Sequence, residues 1–180
     1  MDETKTLPHT WKASLRLLFK QRRADSGSLP RIAILGVGNP LRSDDAAGVR
    51  VARALAQRAW AADTGRILII EAGSAPENRT GELRTFAPDI VLFIDAAEMG
   101  EQPGTIRWVP EESIDGMSAS THSLPLSMVA HYLRLELSCA VGFLGIQADS
   151  NDVGERVSAE VLRAVDQVVD ALDQRIRSLD

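Results

Sequence analysis

The chain has 180 residues, 44% hydrophobic and 25% charged, a length and balance suited to one globular domain with a sizeable core. Its 20 basic against 25 acidic residues leave a net charge of −5, which argues against a nucleic-acid-binding surface over the main domain. A single cysteine excludes an intrachain disulfide and a Cys-rich zinc site, and no apolar run approaches the ~20 residues of a bilayer span.

Residues 11–23, WKASLRLLFKQRR, carry five basic residues and no acidic one. Trp11, Leu15, Leu18 and Phe19 fall at helical spacing on one face, with Lys12, Arg16, Lys20 and Arg23 largely off it. ADSGSLP then reads as a linker. Residues 1–30 are therefore expected to form a basic N-terminal appendage, dispensable for chemistry, on a single α/β domain spanning residues 31–180. Membrane contact is expected only through that appendage. No secretory apolar core precedes it, so a reducing cytoplasm is the expected compartment.

From residue 31 strand and helix alternate. RIAILGVG is a buried strand running into a turn, and residues 44 to about 60 read as a helix striped by Val49, Ala52, Ala56 and Ala59. RILIIEAG and DIVLFIDAA are two further buried strands, and GTIRWVP is a shorter, alternating one. A helix covers about 124–137, a strand lies in CAVGFLGI, and a long helix follows with Val157, Val161, Val165, Val168 and Leu172 on one stripe. Continuous apolar strands between amphipathic helices imply a twisted, mostly parallel sheet of about five strands in a three-layer α/β/α arrangement.

Functional groups in such sheets gather beyond the carboxyl ends of the strands. Those ends carry Gly36, Gly38, Asn39 and the Asp44–Asp45 pair, then Gly73, Ser74, Glu77 and Asn78, then Asp95, and finally His122 in the STHSLP loop. A dinucleotide fingerprint fails here: Leu41 stands where its third glycine belongs, and Glu71 lies 33 residues after Gly38 rather than about 20. The aspartate pair also occupies the helix N-terminus that would attract a pyrophosphate. Successive helical residues diverge by about 100°, so one aspartate can cap the helix while the other faces the crevice.

Asp95 emerges directly from IVLFI, where a lone buried charge is costly without a hydrogen-bonding turn or a cation. Two carboxylates and the His122 imidazole offer O, O and N ligands, a set suited to zinc or nickel. Their spacing matches no motif; only the fold brings them together. Cys139 opens a buried strand and reads as a small core residue, while His9 and His131 have no evident partner.

GVGNPLRSDDAAGVRV, FIDAAEMGEQPGTIRWV, STHSLPL and GFLGIQ together resemble the hydrogenase maturation endopeptidases, in the same order, over about residues 31–178. GSAPEN and THSLPL are most similar to the branch that serves formate-hydrogenlyase-type hydrogenases. The resemblance implies a hydrolase that removes a C-terminal peptide from the large-subunit precursor of a nickel-iron hydrogenase after nickel insertion. It implies metal contacts at Asp45, Asp95 and His122, with Asp45 and Asp95 as the catalytic candidates. Gly38, Asn39 and Ser74 are the expected substrate-binding positions. Nickel carried by the substrate is the expected metal, with zinc as the alternative divalent cation. The family lacks an H-E-x-x-H helix, so whether a metal or a carboxylate activates water stays open. A non-hydrolytic nickel-sensing chaperone and a nucleotide-binding oxidoreductase are the competing readings.

Overall fold

Residues 10–26, 29–58, 65–117, 124–154 and 156–179 are described in the computed structural model. Apolar residues run without a break through β1 (Ile32–Val37) and β3 (Ile90–Ala97), apart from Asp95, and both strands are buried along their whole length. They are two of the three inner strands of a sheet that also holds β2 (Ile67–Gly73), β4 (Ile106–Trp108) and β5 (Ala140–Gln147), in the order β2-β1-β3-β5-β4. All pairings are parallel except the short edge strand β4, which runs antiparallel to β5.

Side chains alternate between the two faces of each strand. Ile32, Ile34, Leu92 and Ile94 meet α1 (Trp11–Ser26), α2 (Ala47–Ala56) and α6 (Ala159–Arg177) on one face. Ala33, Leu35, Val91 and Phe93 meet α3 (Thr80–Phe86), the single turn α4 (Ile114–Met117) and α5 (Leu126–Leu137) on the other. The expected three-layer α/β/α arrangement is therefore the one observed. The chain leaves β1 toward β2 and then crosses to β3 on the opposite side of β1. That reversal opens a crevice beyond the carboxyl ends of β1 and β3.

Two readings change, and one helix has no counterpart in the sequence reading. The helix expected from residue 44 begins instead as a 3-10 turn, Ser43–Ala46, before α2; Ala59 lies outside the described residues. Helix α3 carries no periodic signal, since Leu83 is its one buried residue. The N-terminal segment is no appendage: Leu15, Leu18 and Phe19 are buried in the core beside Ile106, Val165 and Leu172. The apolar face that a membrane surface was expected to meet is thus occupied by the protein itself. Among the described residues no helix is long and apolar enough to cross a membrane.

Candidate active site

At the end of β1 the chain must turn within a very small space. Gly38 adopts φ +116°, and a Cβ there would lie 1.8 Å from the Asp45 carbonyl oxygen, so only glycine fits. Its N–H donates to the Gly73 carbonyl at 3.1 Å, tying the turn to the end of β2 beside Ser74. The next N–H, of Asn39, donates to Asp45 Oδ2 at 2.9 Å. The Asn39 side chain accepts from the Leu41 N–H at 3.0 Å, which closes the turn. Gly38, Asn39 and Asp45 therefore share one turn, with Ser74 at the neighbouring strand end.

Asp45 is also fixed against β3. A Cβ on Gly48 would sit 2.0 Å from the Ile94 carbonyl oxygen and 2.4 Å from that of Val37. The first turn of α2 thus rests directly on the adjoining ends of β1 and β3, one residue before Asp95. Asp45 and Asp95 are both buried, the first in the turn after β1 and the second on β3 next to Ile94.

The alternation of β3 places Asp95 on the same face as Val91 and Phe93, toward α5. There it borders an apolar pocket lined by Phe93, Val109, Ile114, Leu126 and Phe143. The Phe93 and Phe143 rings stack at 5.1 Å to form its floor. Directly across the sheet from Asp95 stands Gly145, where a Cβ would lie 3.0 Å from both Ala97 and Val109, so these side chains close over the strand there. His122 lies outside the described residues. The segments on either side of it are joined: the Asp115 carboxylate accepts from the Ser127 N–H at 3.1 Å and from the Ser127 hydroxyl. Among the described residues no group of three or more His, Cys, Asp or Glu side chains is placed to hold a metal ion.

Asp44 does not cap the helix it precedes. Its fully buried carboxylate accepts from the N–H groups of Asp149 (2.8 Å), Ser150 (3.2 Å) and Ser158 (2.7 Å), and from the Ser158 hydroxyl (3.0 Å). Ser158 in turn caps α6 by accepting from the Val161 N–H at 3.4 Å. The chain answers through Asp44 N–H to Ser150 O and Ser43 Oγ to Arg156 O, both at 3.1 Å. Asp44 therefore fastens the β5–α6 connection to the site turn.

Gln147 is a further polar group that the strand-end reading does not include; it ends β5 opposite Ala97, whereas Asp95 lies two residues inside the end of β3. Its Oε1 accepts from the Met99 and Glu101 N–H groups at 2.7 and 3.2 Å, and its Nε2 donates to Ala148 O at 2.8 Å. It thus holds the segment that follows Asp95. Cys139 is a buried thiol, as expected of a core residue, and His131 is exposed.

A family model described as HycI, hydrogenase maturation protease, matches residues 49–175. A putative hydrogenase maturation protease of Methanocaldococcus jannaschii is 32% identical over 153 residues, covering 83% of this chain and 90% of that protein. The hydrogenase 3 maturation protease of Escherichia coli K12 is 37% identical over 117 residues, 64% of this chain and 72% of its own. In three dimensions the chain is similar to the nickel-iron hydrogenase maturation protease HycI of Thermococcus kodakarensis. The TM-score is 0.73 at 31% identity, covering 86% of this chain and 97% of that one. The solution structure of the E. coli endopeptidase HycI gives 0.67 at 34% identity, over 77% of this chain and 86% of that one. Both the sequence order and the strand-end geometry lead to one assignment: this chain belongs to the hydrogenase maturation protease family and is an endopeptidase of hydrogenase maturation.

Proposed function

We propose that the crevice between β1 and β3 receives the nickel ion carried by a nickel-iron hydrogenase large-subunit precursor, and that this docking presents the precursor's C-terminal peptide bond for cleavage. The observation that carries the reading is the placing of two buried carboxylates, Asp45 and Asp95, at the chain reversal. His122, in the segment that leads into α5, is the third ligand. An incomplete set of two oxygens and one imidazole nitrogen can accept a metal that brings its own protein ligands. The substrate's nickel is then a recognition element, because an empty precursor brings no positive charge to the two carboxylates.

Gly38, Asn39 and Ser74 line the β1–β2 side of the crevice and seat the peptide backbone, while the apolar pocket beside Asp95 takes an apolar side chain of the tail. Water attacks the scissile carbonyl carbon, its proton passes to a site carboxylate, and that proton leaves with the amine as the C–N bond breaks. A reducing cytoplasm suits the reaction and the unbridged thiol of Cys139.

The test offers the purified protease one nickel-loaded and one empty precursor, in a chelator too weak to strip the loaded form. Cleavage should be confined to the loaded precursor, and free nickel added to the protease should not rescue the empty one. Comparable rates on both would overturn nickel sensing.

A further inference from the structure

Helix α5 is apolar on both sides. Its inner residues Leu126, Val129, Ala130 and Leu133 fill the core. On its outer side Met128, Tyr132 and Leu135 are 58%, 37% and 73% exposed, and Leu124, just ahead of the helix, is 42% exposed. At about 100° per residue, the three helical members fall within an arc of roughly 60°. A helix on the surface of a single domain ordinarily turns a polar face outward, as α6 does with Asp166, Asp170 and Arg177. A contiguous row of exposed large apolar side chains marks an interaction surface. None of the four belongs to the buried core, which the opposite face of α5 supplies.

Its position limits what can cover it. Leu124 lies two residues beyond His122, and Leu126, at the base of the helix, lines the pocket beside Asp95. The row therefore starts at the end of α5 that borders this pocket, and its helical part, Met128 to Leu135, extends about 10 Å along the helix away from it. We infer that the outer face of α5 is a docking surface for an apolar segment of the folded part of the hydrogenase precursor, seated beside the tail that is cut. The inference rests on the reading of the crevice as the place where that precursor is held. A second copy of this chain fits less well: four side chains expose on the order of a few hundred Å², against roughly 800 Å² per partner in a standard stable interface. A small patch suits a substrate that must leave after each turnover. Met128 adapts its shape to a partner, and Tyr132 supplies a rigid anchor.

The test compares wild type with Met128→Glu/Leu135→Glu, using Leu17→Glu as a control at an exposed leucine on α1. Thermal unfolding should be nearly unchanged in all three, since none of these side chains is in the core. With nickel-loaded precursor, the double variant should raise KM about tenfold or more and leave kcat within about twofold, while the control matches wild type. Direct binding of the same precursor, followed by biolayer interferometry, should weaken by the same factor. If wild type cleaves and the double variant shows unchanged KM and unchanged binding, docking on α5 is overturned and the protease reading stands. If wild type does not cleave the loaded precursor, that reading fails, and the binding measurement alone decides the docking surface. A dimer of wild type in sedimentation, dissolved by the double variant, would assign the face to a second copy and overturn the inference.

Discussion

Alanine at position 44 removes a carboxylate that joins two distant parts of the chain. Four hydrogen bonds end on it, three from backbone N–H groups and one from the Ser158 hydroxyl. Hydrogen bonds to a charged group contribute about 1.5–3 kcal/mol each in mutational series. Their sum overstates the loss, because the connection from Asp149 to Ser158 is partly exposed and can relax toward water. A net cost of about 4 kcal/mol is the reasonable figure, a large part of the ~5–15 kcal/mol that holds a domain folded. For a chain of this length ~1 kcal/mol lowers Tm by about 2–4 °C, so Asp44→Ala should melt about 8–16 °C below wild type. Asp44→Asn retains one acceptor oxygen and should fall between them. Circular dichroism melts give the first number, and cleavage measured well below the variant's transition gives the second. At that temperature activity should persist, because Asp44 faces the β5–α6 connection and not the crevice. A variant with unchanged Tm and no activity would place Asp44 in the chemistry and refute the division of labour within the pair.

Asp45→Ala and Asp95→Ala should each abolish precursor cleavage with Tm shifts smaller than that of Asp44→Ala; a variant of either that still cleaves at the wild-type rate removes that residue from the site. Gly38→Ala forces a Cβ to within 1.8 Å of the Asp45 carbonyl oxygen, so the turn must open, and both Tm and cleavage should fall. Retention of both would mean that the turn does not press on Asp45. Deleting residues 1–26 removes Leu15, Leu18 and Phe19 from the core at about 1.5–3 kcal/mol each. The truncated chain should lose cooperative unfolding and bind a hydrophobic dye, whereas a sharp transition near the wild-type Tm would restore the view of a dispensable appendage.

The sheet is legible in the sequence because its inner strands are buried on both faces, which leaves a continuous apolar run whatever lies around it. The N-terminal helix shows the limit of that signal. Its stripe of Leu15, Leu18 and Phe19 states that one face needs cover, but a periodicity cannot name the cover. The short polar segment after it suggests separation, yet such a segment also lets a helix fold back onto β4 and β5. Helix α3 is the opposite case: Leu83 alone is buried, so Thr80–Phe86 is helical without any repeat to announce it.

The aspartate pair divides along the same line between local and distant causes. Asp45 is held by the N–H of Asn39, six residues away, in a turn whose glycine is visible in the sequence. Asp95 is placed by the phase of its own strand. Local pattern draws notice to Asp95 and to the aspartate pair, but within the pair only the family resemblance points to Asp45. The partners of Asp44 lie 105 to 114 residues further along, on a connection with no apolar pattern. In the sequence, helix capping is the nearest use for that carboxylate, and it is not the use observed. The 3-10 winding of Ser43–Ala46 rotates consecutive side chains by about 120°, which sends Asp44 to the β5–α6 connection and Asp45 to the glycine turn. The same two letters thus serve different ends. One secures the β5–α6 connection to the start of α2, and the other is held against the glycine turn, its orientation set by that turn.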